Sequence, residues 1–507
     1  MALVAMSGTL VGVDGVPIQV EIDLLRRLPS VVIVGLPDGA VRESAERVRS
    51  AIQQAGFEFP RKRVVVNLAP ADVRKCGTAF DLPIAAGILA VSEQVSRQRL
   101  EGTMFFGELS LEGLLRRIRG ALPLTLMARE QGATRVILPL ENAAEAAVVD
   151  GIEVMGASSL DEVVEWMEGR RELAPTQAAP SPPEAGSSLD LAEVRGQARA
   201  RRALEIAAAG GHNLLMVGSP GCGKTMLAAR MPGILPSLAF DEALDITRIW
   251  SVAGLLPEGQ GLMTRRPFRA PHHTISAAGM VGSASLRPGE VSLAHHGVLF
   301  LDELPEFSRH VLELLRGPLE DRAITLTRAA GTVRLPAGAA LVAAANPCPC
   351  GYLGHPSRPC ACAPAAIERY RARLSGPLLD RIDLQVWVQP VEAESLSRGA
   401  PGEASSAVRA RVERARSHQS QRLQVLGIAA RNNAELAGSA IRTAADPSPE
   451  ALRVLESTME RLGLSARAWA RMLKVARTIA DLEGATRVEG PHMLEACSFR
   501  LPEGERL

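Results

Sequence analysis

Apolar and polar positions alternate with a period of two over residues 8–22, and short apolar runs follow at 31–34 and 64–68, which predicts strands. Residues 40–55 carry apolar positions at helical spacing and predict a helix between them. The pattern stops at residues 174–188, an Ala/Pro/Ser-rich stretch without basic residues or apolar period, which predicts a semi-extended linker. Residues 1–173 are thus expected to form one mixed α/β domain. Over residues 189–390, helical segments alternate with apolar strands at 214–217, 298–301, 340–344 and 384–388, the pattern of helices packed on a mostly parallel sheet. From residue 391 to 507 strands disappear, and helical spacing over 407–424, 449–462 and 465–482 predicts a helical C-terminal subdomain.

Composition adds exclusions. With 47% apolar and 22% charged residues in a 507-residue chain, disorder is not expected for most of it, and no apolar run of about 18 residues suggests a membrane span. The first ten residues lack a basic segment ahead of an apolar stretch, so a cytoplasmic protein with reduced cysteines is expected. Fifty-seven basic against 56 acidic residues give a net charge of +1, which excludes a generally basic nucleic-acid-coating protein but leaves room for a local basic patch. Aromatics at 3% are too few for a many-ringed stacking platform. Only Lys62, Lys75, Lys224 and Lys474 are lysines, so a lysine here is notable in itself.

Lys224 sits in Gly218-Ser219-Pro220-Gly221-Cys222-Gly223-Lys224-Thr225, which fits G-x-x-x-x-G-K-[ST] between a predicted strand and a predicted helix. In such a loop backbone amides turn toward phosphates, the lysine neutralises the β- and γ-phosphates, and the Thr225 hydroxyl binds Mg²⁺. A second element is the apolar strand 298–301 ending in Asp302 and Glu303. Asp302 is expected to hold Mg²⁺ through water, and Glu303 to act as general base on the water attacking the γ-phosphate. ATP and Mg²⁺ are therefore the expected substrate and cofactor.

With those elements in place, the chain resembles an AAA+ ATPase. Three runs narrow the resemblance: Phe268-Arg269-Ala270-Pro271-His272-His273-Thr274-Ile275-Ser276, residues 288–307, and Ser375-Gly376-Pro377-Leu378-Leu379-Asp380-Arg381-Ile382-Asp383. They are similar to the magnesium-chelatase-like AAA+ ATPases of the ComM/YifB type, over nearly the whole chain. The resemblance implies an α/β architecture with a P-loop AAA+ core, an N-terminal domain of ribosomal-S5-domain-2 or Lon-like fold, a C-terminal helical lid, and a hexameric ring. It further implies Asn346 as the sensor-1 residue holding the attacking water, Arg381 as an arginine finger acting in trans, and Arg467 as the lid's sensor-2 arginine. Alternatives stay open for two of these: Arg381 paired structurally with Asp380 or Asp383, and Arg471 in place of Arg467. Residues 250–291 are expected to hold the helix-2 insertion of this clade, with Arg265, Arg266, Arg269 and Arg287 as DNA contacts or, equally, as a solvated loop. The pairs His272-His273 and His295-His296 are expected to pack or hydrogen-bond, because neighbours on a strand point to opposite faces.

Four cysteines cluster as Cys348-Pro349-Cys350 and Cys360-Ala361-Cys362. Two readings stand, structural zinc or free thiols, and C-x-C is tighter than the usual zinc spacing. For function, the resemblance implies an ATP-driven DNA motor, with helicase or branch-migration activity during natural transformation. A metal-chelatase motor subunit acting on a protein partner is the alternative. An ATP-dependent protease is disfavoured, since residues 72–83 around Lys75 contain no serine for it to activate.

Overall fold

A computed structural model of the protein describes residues 3–178, 189–283, 286–328, 331–390, 401–463 and 465–500. The alternation at the N-terminus becomes a hairpin of β1 (Leu3–Val11) and β2 (Asp14–Leu25), turned tightly at Gly12 with φ +67°, a left-handed value that glycine adopts without steric cost. The chain continues through β3 (Ser30–Val34), β4 (Arg63–Ala69), β5 (Thr103–Phe105) and a small hairpin of β6 (Glu108–Leu109) with β7 (Leu115–Arg116). With β8 (Arg135–Pro139) and β9 (Glu153–Ala157) it forms a seven-stranded mixed sheet, ordered β3-β4-β2-β1-β5-β8-β9. β4 shows the period-two logic directly, burying Val64, Val66 and Leu68. These side chains meet the helices Gly39–Gln54 and Asp81–Val91 on one face, while Ala121–Glu130 covers the other. The first helix opens at Asp38, whose carboxylate accepts the Val41 N–H at 2.9 Å as an N-cap.

The start of the stretch read as a linker is tied down: Pro175 bridges Met155, and the Thr176 N–H donates to the Val154 carbonyl at 2.7 Å. Residues 179–188 of that stretch lie outside the described residues.

The second sheet is all parallel. It comprises β10 (Leu214–Val217), β11 (Phe268–Arg269), β12 (Val298–Leu301), β15 (Ala340–Ala345) and β16 (Leu384–Trp387), in the order β11-β12-β15-β10-β16, with β13 (Ala323–Arg328) and β14 (Gly331–Pro336) forming a separate antiparallel hairpin. Every β10 side chain is buried because helices cover both faces. Leu214 and Met216 join a core with the helix Ala198–Gly210 and the C-terminal helices, whereas Leu215 and Val217 join a second core with residues such as Ile249, Val311 and Leu312.

Two parts of this region differ from the sequence expectation. Residues 250–291 are not simply an inserted loop, since Phe268–Arg269 forms the edge strand of the central sheet, parallel to β12. Two residues are too few for a period to show. The β13–β14 hairpin was not anticipated either; it buries Ile324, Leu326, Val333 and Leu335 and packs Val333 against Gly12 of the N-terminal hairpin.

Among the described residues, five helices, Ser405–Val425, Ala440–Ala445, Pro449–Leu462, Ala466–Glu483 and Gly490–Ser498, form the C-terminal region. They dock on the central sheet through Asp383 at the foot of β16, which accepts Arg471 Nη1 at 2.7 Å and the Asn213 N–H at 3.1 Å. Burial opposes ionisation of Asp383, yet His212, Arg471 and the Asn213 amide together hold its carboxyl well below the usual carboxylate range. Burial also lowers His212 below its ordinary value, so Arg471 supplies the compensating charge. No described helix is long and apolar enough to cross a membrane.

Candidate nucleotide site and cysteine cluster

Three neighbouring strands, β10, β15 and β12, end at the same edge of the sheet, and the loops that leave them carry the predicted chemistry. After β10 the chain turns through Gly218–Thr225. Gly218 has no room for a side chain, since a Cβ there would lie 2.3 Å from the Val388 carbonyl oxygen. Gly221 and Gly223 adopt φ of +79° and +93°, which lets the loop curl before the helix Lys224–Arg230 begins. Lys224 is buried inside the curl, and its Nζ donates to the carbonyls of Gly218 (2.6 Å) and Ser219 (3.0 Å) and to Asn346 Oδ1 (3.2 Å). Burial lowers the ammonium below its ordinary value. Asn346, just past β15, thus sits on the loop lysine.

From β12, Asp302 Oδ2 accepts the Thr225 hydroxyl at 2.8 Å. Two oxygen donors of the kind Mg²⁺ takes are therefore already adjacent. Asp302 Oδ1 accepts the Glu303 N–H at 2.9 Å, and Glu303 holds a left-handed φ of +51° with its side chain half exposed. A non-glycine residue in that region costs free energy and marks a position fixed by its surroundings. His273 Nδ1 lies 3.4 Å from Glu303 Oε2. Sequence reasoning assigned His273 only a packing or hydrogen-bonding role; its place four residues beyond β11 brings it to the general-base candidate. Ser219 Oγ is buried without a hydrogen-bond partner, an open polar atom in the loop itself. The residues present fit a nucleotide triphosphate with Mg²⁺.

Other predicted residues lie elsewhere. Arg381 is not presented to solvent: it is 6% exposed, and its guanidinium pairs with Glu320 at 2.7 Å and donates to the carbonyls of Arg316 (3.1 Å) and Pro377 (2.7 Å). Its partner is neither Asp380 nor Asp383, because the helix Arg316–Asp321 closes over it. Arg467 is exposed at the start of the helix Ala466–Glu483, and Arg471 one turn on is committed to Asp383. Two of the arginines proposed for DNA are engaged internally. Arg266 binds Glu242 (2.8 Å) and the carbonyls of Pro236 and His296, while Arg269 holds Glu290 bidentately at 2.6 and 2.7 Å beneath Trp250. Arg265 and Arg287 are exposed.

The histidine pairs do not point to opposite faces, because neither lies on a strand. Ring centroids are 4.1 Å apart in His272–His273 and 3.9 Å in His295–His296, the latter beside Asp245. His296 adopts φ +57° and contacts Glu242, Asp245 and the Arg431 guanidinium. Burial and His296 push His295 down to about 3, and its Nδ1 accepts the Gly338 N–H at 2.8 Å. Both pairs thus pack and hydrogen-bond, by a different geometry from that expected.

The cysteine loop directly follows Asn346. Sγ–Sγ separations are 3.4 Å for Cys348–Cys350 and 3.6 Å for both Cys348–Cys360 and Cys350–Cys360, with Cys362 in the same cluster. Backbone N–H groups of Tyr352 and Ala361 pull the Cys350 thiol down to about 6. In the N-terminal domain, Lys75 is fully buried and donates to the Pro70 carbonyl, so its ammonium is committed to backbone.

A glycine-cradled lysine, a strand-borne acidic pair and a polar strand end on a β11-β12-β15-β10-β16 parallel sheet, capped by a helical lid, define a P-loop ATPase core of the AAA+ class. Family models described as "Magnesium chelatase, subunit ChlI", "Subunit ChlI of Mg-chelatase" and "Magnesium chelatase, subunit ChlI C-terminal" match residues 190–396, 20–142 and 402–500. An uncharacterised protein of Mycobacterium tuberculosis is 46% identical over 501 residues, 98% of both chains. The YifB protein of Escherichia coli is 43% identical over 495 residues, and competence protein ComM of Haemophilus influenzae 42% over 498, each covering 96% of this chain and 95% of the relative. The chain belongs to the magnesium-chelatase-like ComM/YifB family of AAA+ ATPases.

Proposed function

We propose that this protein is an ATP-hydrolysing ring motor, a homohexamer of cytoplasmic subunits, that moves DNA in helicase or branch-migration steps during natural transformation and recombination. The observation that carries the ATPase part is the convergence of Lys224, Thr225, Asp302, Glu303 and Asn346 on one sheet edge. Lys224 binds the β- and γ-phosphates, exchanging neutral carbonyl acceptors for charged oxygens, which make stronger hydrogen bonds. Thr225 and Asp302 would hold Mg²⁺, which when bound neutralises phosphate charge. Glu303 takes the proton of the attacking water, with His273 orienting its carboxylate, and Asn346 positions that water. Arg467 reaches the nucleotide from the lid. A structural zinc ion at Cys348, Cys350, Cys360 and Cys362 completes the cofactor set.

Support for DNA as substrate is the near-full-length similarity to a competence protein, together with Arg265 and Arg287, which remain exposed to meet phosphates. A second reading, a chelatase-type motor remodelling a protein partner, is favoured by the magnesium-chelatase family models. The match over residues 20–142 means that the N-terminal domain does not by itself separate this chain from chelatase subunits.

The first test is nucleotide binding by Lys224→Ala. Loss of a buried charge-assisted contact should weaken ATP affinity by roughly 10- to 150-fold. Isothermal titration showing wild-type affinity in this variant would remove the loop from the nucleotide site.

A further inference from the structure

The cysteine loop and the phosphate loop touch each other. Cys348 is fully buried two residues beyond Asn346, whose side chain accepts a hydrogen bond from Lys224 Nζ. The turn closes with the Gly351 N–H donating to the Cys348 carbonyl at 2.9 Å. Gly351 then meets Pro220 of the phosphate loop so closely that a Cβ would lie 2.5 Å from Pro220 Cδ, and its φ is +83°. One wall of the nucleotide loop is therefore built by the Cys348–Gly351 turn.

The sulfur positions bear on what fixes that turn. A disulfide needs sulfurs about 2.0 Å apart, and the seven cysteines are free. Four thiolates around one zinc ion at about 2.3 Å stand about 3.8 Å apart at the edges of a tetrahedron. The three separations of 3.4 to 3.6 Å among Cys348, Cys350 and Cys360 approach that edge length, and without a metal only weak S–H···S contacts would gather these thiols. The Cys362 N–H also points at Cys360 Sγ at 3.4 Å, the kind of contact that stabilises a thiolate ligand. An all-sulfur, closed, four-residue donor set suits a structural zinc ion, with no open position for chemistry.

We propose that Cys348, Cys350, Cys360 and Cys362 bind one zinc ion, and that this ion braces the phosphate loop through the Gly351–Pro220 contact, so that zinc occupancy sets nucleotide affinity. This rests on the nucleotide reading of residues 218–225. The site links metal supply to the ATPase without taking part in hydrolysis.

The test uses full-length protein purified without chelators. Metal content is measured by plasma mass spectrometry, and ATP affinity before zinc removal with a zinc-selective chelator, after it, and after zinc is restored. The expected results are one zinc per chain, a roughly tenfold loss of ATP affinity on removal, the scale of one charge-assisted hydrogen bond, and recovery on zinc addition. Cobalt in place of zinc should give the absorption bands of a tetrahedral thiolate site. Gly351→Ala provides a variant that leaves every ligand intact: it should keep zinc and lose nucleotide affinity. Absence of zinc, or iron in its place, overturns the metal site while leaving the loop reading intact. Zinc loss without change in ATP affinity, with Gly351→Ala binding as wild type, overturns the brace. Zinc-loaded protein that binds no ATP at all overturns the nucleotide reading itself.

Discussion

Glu303→Gln should lower steady-state ATP hydrolysis by about 10²- to 10⁴-fold, the usual contribution of a general base, with ATP affinity preserved. Glutamine keeps the shape of the side chain and can still meet His273, 3.4 Å from the carboxylate, but it cannot accept a proton from water. Binding should survive because Lys224, proposed to meet the phosphates, and Thr225 and Asp302, proposed to hold Mg²⁺, are untouched. The left-handed backbone at Glu303 is equally available to glutamine, so folding is not expected to suffer. Phosphate release measured against nucleotide titration decides the matter: turnover within about tenfold of wild type would give the proton to another group.

The second large effect concerns Arg381. A finger reaching the γ-phosphate of a neighbouring subunit contributes roughly 10³- to 10⁵-fold to turnover, so Arg381→Ala should retain ATP binding and lose hydrolysis on that scale. In the protomer the guanidinium is held by Glu320 and two carbonyls, so the finger role requires this pair to open when subunits meet. Action in trans has a direct signature. Arg381→Ala and Glu303→Gln subunits, each inactive alone, should recover hydrolysis when mixed, because some interfaces then join an intact base to an intact finger. A mixture with proven subunit exchange that stays inactive would make Arg381 a structural residue of its own subunit, tying the helix Arg316–Asp321 to the sheet.

The contrast between these residues shows what the sequence could carry. Lys224, Thr225, Asp302 and Glu303 were legible because each sits at a fixed offset from a buried apolar strand, and the strand ends bring them together. The long C-terminal helices were legible for the same reason, since their apolar period runs over many residues. β11 was not, because two residues have no period and its place is set by pairing with β12. The partners of Arg266, Arg269 and Arg381 were also hidden. In a chain where arginine is the default cation, only tertiary packing distinguishes a guanidinium locked on Glu242, Glu290 or Glu320 from one left free. His273 belongs to the 268–276 run, but its proximity to Glu303 depends on how the chain leaves β11. The cysteine spacing suggested zinc, while the contact of Gly351 with Pro220 appears only once both loops are placed.

An ATP-driven motor that moves DNA is tested most directly by ATP hydrolysis of the purified protein without DNA, with single strands and with a four-way junction, using Glu303→Gln as background. The account predicts stimulation by DNA, greatest with the junction. A rate unchanged by every DNA would contradict it and turn the search toward a protein partner of chelatase type.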